Sequence, residues 1–439
     1  MEARRGISSR GGLGVLLTAV LVACSSPAAS TTVPTTTTSS VPPTSTSTTV
    51  RETTVPDSTS TTIREPRESF IEDSIASLDL AGKAAQLLIV EFVGSDGSAA
   101  LDLLATYPLG GFLLKSANGN LASSIALTDM TSRLQSASAI PLFIAVDQEG
   151  GRIDRVKFED VRRFPSARIF GELGDAALTE QAAWATGVQL AELGINLDFA
   201  PVADVNVLGD DNPAIGDRSY GSDPELVAAM AVAAVQGFER AGIAAAVKHF
   251  PGHGNTAVDS HLGLPVVLTD IREWAATDRV PFEATIRAGA RMVMVAHVAF
   301  PALDADGLPA SMSPAITTGQ LRAALGFTGV IVTDDLANML AVAAWAPGER
   351  AVRALEAGSD LILNPGDIEA AVSAIVEAVA DGRISEELID AALVRILDLK
   401  FDLGLSEPRP SPMDAETRAA VAAARMAVAD ACAAVGLDC

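Results

Sequence analysis

Residues 248–261, KHFPGHGNTAVDSH, hold three of the chain's four histidines, together with Lys248 and Asp259. Imidazole titrates near neutrality, so three of them on one segment suggest proton chemistry rather than packing. Asp259 stands two residues before His261. A carboxylate bonded to an imidazole raises its pKa and fixes its orientation, and such a pair can give a proton and later take it back. Cleaving a glycosidic bond also needs a carboxylate on the other side. Asp334, in Val332-Thr333-Asp334-Asp335-Leu336, is a candidate for that role. No serine-nucleophile elbow and no reactive cysteine offers a different route.

The same loop could be taken for a zinc site made of His249, His253, Asp259 and His261. His249 and His253, four apart, would need a helix to share a face, and Pro251 with Gly252 and Gly254 denies one. Lys248 would also repel a cation. Neither a metal nor another cofactor is therefore expected.

The elements that must position these groups are legible as apolar, β-branched runs, each followed by an Ala-rich stretch with helical spacing. There are eight such runs: 85–92, 110–115, 141–146, 195–200, 244–249, 291–297, 329–333 and 360–364. Runs such as Leu142-Phe143-Ile144-Ala145-Val146 lack polar alternation, as parallel strands covered on both faces require. Eight strand–helix units in about 340 residues predict an α/β fold, a single (β/α)8 TIM-type barrel over 68–407. An open dinucleotide-binding sheet is the alternative, but no Gly-rich turn follows an early strand. Asp147, Asp204, Lys248-His249, His297, Asp334-Asp335 and Asn364 fall at strand ends, which a barrel gathers on one rim. Any one strand-end aspartate could be an N-cap, but six positions facing one mouth suit a hydroxyl-rich ligand such as a sugar.

Residues 1–23 combine three arginines with an apolar run too short to span a bilayer, and end at Leu21-Val22-Ala23-Cys24. They resemble a lipoprotein signal with Cys24 as the lipidated residue. Residues 24–67, rich in Ser, Thr and Pro, cannot bury a core and read as a disordered tether. Together these predict an extracytoplasmic protein held to the bacterial cell membrane only by its lipid anchor. The net charge of −24 argues against nucleic acid as a partner, and a monomer is expected. Residues 408–439 read as a short helical tail in which Cys432 and Cys439, seven apart, could close a small disulfide.

Five longer motifs occur in order: AVDQEGGRIDR (145–155), LDFAPVADVN (197–206), GDRSYGSDP (216–224), KHFPGHGNTAVDSH (248–261) and GVIVTDDLANM (329–339). With them the chain resembles the bacterial β-N-acetylhexosaminidases of glycoside hydrolase family 3 over nearly all of 71–405. The resemblance implies a retaining mechanism through a covalent glycosyl–aspartate, with Asp334 as nucleophile and His261, assisted by Asp259, as acid/base. It maps sugar binding onto Asp147, Arg155, Arg218, Lys248 and His249, and leaves Asp335, His253 and His297 as scaffolding. The implied activity is exo-β-N-acetylglucosaminidase, acting on a GlcNAc-containing saccharide such as a cell-wall fragment. Asn255 stands where many relatives carry aspartate, outside the Asp-Ser-His turn. Only a short Ala-rich stretch follows Leu405, so the single-domain form is expected. A glycoside phosphorylase is one alternative, because a histidine acid/base does not repel incoming phosphate. A lipoprotein that binds wall sugar without cleaving it is another.

Overall fold

The computed structural model describes residues 65–407 and 413–439. The expected signal, the lipidation site Cys24 and the tether up to residue 64 lie outside the described residues. The first described helix, Pro66–Ala76, takes in the last two residues assigned to the tether.

Ten strands follow: β1 (Leu88–Glu91), β2 (Gly111–Leu113), β3 (Phe143–Val146), β4 (Gln148–Gly150), β5 (Ile153–Asp154), β6 (Leu197–Asp198), β7 (Ala244–Phe250), β8 (Met292–Val295), β9 (Val330–Thr333) and β10 (Ile362–Leu363). Eight form one parallel sheet in the order β10-β1-β2-β3-β6-β7-β8-β9, while β4 and β5 make a separate antiparallel pair. A parallel bridge between Val332 and Leu361 brings β9 against the chain entering β10 and closes the barrel. The expected (β/α)8 architecture is what the chain adopts.

β3, β7, β8 and β9 are buried along their whole length, which explains the missing polar alternation. Each fully buried Phe, Ile or Val on them contributes roughly 1.5–3 kcal/mol relative to exposure. Strand spacing also dictates glycine. A Cβ on Gly111 would stand 2.3 Å from the Phe143 carbonyl oxygen across the β2–β3 ladder, so any larger residue would push the strands apart.

The first run departs from expectation. Residues 80–86 are a helix (Leu80–Gln86) whose start is capped by Asp79 accepting from the Gly82 N–H at 2.7 Å, and the strand begins only at Leu88. A short buried helix and a buried strand share the same apolarity, and here the cap decides for helix. β6 and β10 are likewise only two residues long.

At the strands' N-terminal end Lys400 is fully buried, its Nζ 3.2 Å from Gln86 Oε1 and 5.0 Å from the Phe143 ring centroid. Burial with no carboxylate beside it pushes this lysine down to about 7. The C-terminal helix Ala415–Val435 packs on the helix Ala176–Glu192, burying Val421, Ala424, Val428 and Cys432. Cys432, in its last turn, is joined by a disulfide to Cys439 past the helix end. No helix among the described residues is long and apolar enough to cross a membrane.

Candidate active site

Asp334 directly follows β9, and its residue is 7% exposed at the barrel mouth. Its Oδ1 accepts the Asp335 N–H at 2.8 Å. Burial disfavours its charge, but His249, His297, the Asp335 N–H and Lys248 outweigh that, so the carboxyl sits below its ordinary value and stays ionised. The next residue does something different. Asp335 Oδ1 accepts from the Ala337 and Asn338 N–H groups and from Asn364 Nδ2, while Oδ2 pairs with Lys115 at 2.8 Å. It pins the loop after β9 to the ends of β2 and β10.

The floor is a chain of paired charges. Lys248, near the end of β7, lies 2.7 Å from both Asp147 Oδ1 and Glu149 Oε1. Glu149 also receives Arg218 through two bonds, Nε–Oε2 at 2.8 Å and Nη2–Oε1 at 2.7 Å. Burial opposes the charge on each of these three. Glu149 is nevertheless held well below the carboxylate range by Arg218 and Lys248, and both cations are raised by their acidic partners. Asp147 and Glu149, two apart in extended chain, share a face and so can grip one lysine. The β4–β5 hairpin holds them there, its Gln148 accepting the Arg155 and Val156 N–H groups and reaching Asp154 at 2.5 Å.

Asp204, fully buried after β6, orients the next layer. Its Oδ2 accepts from His249 Nδ1 at 2.7 Å and its Oδ1 from the His253 N–H at 2.6 Å. Arg218 Nη2 lies 3.2 Å from His249 Nε2 and can only donate, so in this contact Nε2 accepts while Nδ1 faces Asp204. Beneath them Asp198 is pushed up to about 8 by burial, helped by Asp147 and Glu149. One of its oxygens takes the Gln148 N–H at 2.8 Å and the other has no hydrogen-bond partner among the described residues.

From β7 the chain turns through Pro251-Gly252-His253-Gly254. A Cβ on Gly254 would stand 1.9 Å from the Val205 carbonyl oxygen, so only glycine lets this turn lie against the segment after β6. The Trp274 indole N–H donates to the Pro251 carbonyl at 3.0 Å and braces the turn from the far side. Beyond it, Asp259 Oδ1 accepts both the His261 N–H (2.9 Å) and its Nδ1 (2.8 Å). Partial burial works against the Asp259 charge, but these bonds hold the carboxyl below its ordinary value. Nδ1 is thereby committed and Nε2 is the ring atom left for proton transfer.

All eight residues singled out as catalytic or sugar-binding, namely Asp334, His261, Asp259, Asp147, Arg155, Arg218, Lys248 and His249, line one cavity of about 380 Å³. Arg155 makes no side-chain hydrogen bond or ion pair among the described residues. Arg218 is tied to Glu149. His253 and His297 differ as scaffolds. His297 is bonded on both sides, to Ser311 Oγ at 2.7 Å and the Asp335 carbonyl at 3.2 Å, whereas both buried ring nitrogens of His253 lack partners. Sequence reasoning missed Glu149 and gave Asp204 no role. The two-residue spacing of Asp147 and Glu149 was the available signal for the first; nothing local marked Asp204 as the partner of His249. No group of three or more His, Cys, Asp or Glu residues among those described is placed to hold a metal.

A barrel whose strand ends set a buried carboxylate, an Asp–His pair and a ring of sugar-sized polar groups about one cavity has the construction of a glycosidase. Residues 79–399 match the family described as Glycosyl hydrolase family 3 N terminal domain, and the chain belongs to that family of glycoside hydrolases. It is 37% identical over 330 residues to Beta-hexosaminidase A of Pseudoalteromonas piscicida, covering 69% of this chain and 55% of that protein. It is 34% identical to Beta-hexosaminidase LpqI of Mycobacterium tuberculosis over 74% of this chain and 84% of the relative. Its fold is similar to that of a glycoside hydrolase family 3 beta-N-acetylglucosaminidase from a Paenibacillus species. That match has a TM-score of 0.74 and 39% identity, over 79% of this chain and 68% of the other.

Proposed function

We propose that this chain is a retaining exo-β-N-acetylglucosaminidase that removes terminal β-linked GlcNAc from cell-wall fragments or related glycans. The observation that carries the reading is the meeting of Asp334 and the Asp259–His261 pair in one cavity floored by Lys248, Asp147, Arg218 and His249. In this scheme Asp334 attacks the anomeric carbon while His261 Nε2 gives a proton to the departing oxygen, leaving a glycosyl–Asp334 ester. His261 then takes a proton from water, whose oxygen displaces Asp334 and restores both groups. Asp147 accepts from ring hydroxyls, and Arg155, Arg218, Lys248 and His249 contribute the remaining polar contacts. The lipid anchor at Cys24 and the 24–67 tether, read from sequence, would set this activity outside the membrane.

The test is release of 4-nitrophenol from the β-GlcNAc and β-glucose substrates side by side, with NMR of the first-formed sugar. Strong preference for GlcNAc and a β-configured product are expected. Preference for glucose, or inversion, would overturn the reading. GlcNAc-1-phosphate formed in phosphate buffer in place of free sugar would turn it into a phosphorylase.

A further inference from the structure

The cavity has a second polar side, built on the ends of β1, β2, β9 and β10 rather than on those of β3 and β7. Lys115 Nζ lies 2.9 Å from Glu91 Oε2 and 2.8 Å from Asp335 Oδ2. Asn338 Nδ2 donates to that same Asp335 oxygen at 2.8 Å, and Asn364 Nδ2 donates to the other at 3.0 Å. Lys115, Asp335 and Asn338 line the cavity together with Asp334 and His261. Unlike the buried floor, this side is half open: the Lys115 and Glu91 side chains are 26% and 27% exposed. Two carboxylates share one cation, so an ammonium with three N–H groups keeps one to give. Asn338 is exposed, and its Oδ1 accepts no hydrogen bond among the described residues.

Contacts set this side beside the proposed acid. The Ser260 carbonyl, one residue before His261, accepts the Ala341 N–H at 3.2 Å, and Ser260 Oγ lies 3.3 Å from Met339 Sδ. Met339 directly follows Asn338, so the loop after β9 is fastened to the loop that carries the histidine. Asp259 holds His261 Nδ1, which leaves Nε2 for the departing oxygen. We infer that Lys115 and Asn338 form a subsite for the sugar on the leaving side of the scissile bond, Lys115 donating to its oxygens and Asn338 Oδ1 accepting from a hydroxyl. The inference rests on the proposed hydrolysis of β-GlcNAc glycosides and makes their aglycone a saccharide. A half-open subsite also lets that sugar depart while the first stays bound on the floor.

The test uses the full chain with N,N′-diacetylchitobiose and methyl β-N-acetylglucosaminide, which differ in whether a sugar occupies the leaving side. The readout is the chitobiose-to-methyl ratio of kcat/KM, in variant against wild type, so that the intrinsic difference between leaving groups cancels. Asn338→Ala leaves the pairing of Lys115 with Glu91 and Asp335 in place, and should lower the ratio about three- to tenfold. Lys115→Gln removes the charged donor and should lower it about tenfold or more. A residue that only clamps the strand ends would depress both substrates alike. A ratio left unchanged by either variant would therefore overturn the subsite while leaving GlcNAc hydrolysis intact. Hydrolysis of neither substrate by the wild-type protein would overturn the proposed function and the subsite with it.

Discussion

The cavity floor and the Asp259–His261 loop hold their charges in opposite ways. On the floor the side chains of Lys248 and Glu149 are 2% and 4% exposed, and each charge touches at least two partners. On the loop the His261 side chain is 58% exposed and rests on Asp259 alone. The floor sits on strand ends fixed by the sheet ladder, so its donors and acceptors can be aimed before any ligand arrives. In the proposed reaction the loop must meet both a leaving group and the water that follows it, and a fully buried group could not exchange its proton with either. On the proposed reading, binding precision and proton access fall to different elements of one barrel end.

The largest effect is expected from Asp334→Asn, which should lower kcat for 4-nitrophenyl β-GlcNAc by about four orders of magnitude. Its circular dichroism should stay unchanged, because the amide oxygen can still accept the Asp335 N–H. Less than a tenfold loss would remove Asp334 from the chemistry. Glu149→Gln strips two buried cations of a shared charge and should cost about 3–5 kcal/mol in denaturant unfolding. His261→Ala makes the contrast: activity should drop by about 10²- to 10⁴-fold with unfolding shifted by no more than about 0.5 kcal/mol. If Glu149→Gln and His261→Ala shifted stability equally, the division between floor and loop would be wrong.

A further effect, on stability alone, concerns the opposite end of the barrel. Lys400 is held at about 7 when folded, against about 10.4 for a free lysine. Between those values the unfolded chain binds more protons, so this residue makes stability rise with pH from about 7 to about 10. Lys400→Met should remove that rise and stabilise the protein most at pH 7. Parallel unfolding curves for wild type and variant at pH 7 and 9.5 would refute it.

Much of the fold was legible because buried parallel strands must be continuously apolar, as at Phe143–Val146 and Val330–Thr333. The misread start, where Leu80–Gln86 is helical, shows the limit of that signal, since apolarity reports burial and not backbone shape. In the candidate site, chemically unusual residues in local patterns stood out, among them Asp259 with His261 and Lys248 with His249. Glu149 was hidden among the motif's glycines, and Asp204 is tied to His249 across 45 positions of sequence.

From the sequence alone came the eight strand–helix units, the rim residues and the pairing of Asp259 with His261, because each depends on periodicity or on neighbours within a few residues. Tertiary structure decided that Glu149 joins Lys248 to Arg218, that Asp204 orients His249, and that Asp335 is occupied with the loop while Asp334 faces the cavity. These depend on distances between chain segments that only the closed barrel brings together. Burial in that barrel is also what makes each pairing decide which charges persist.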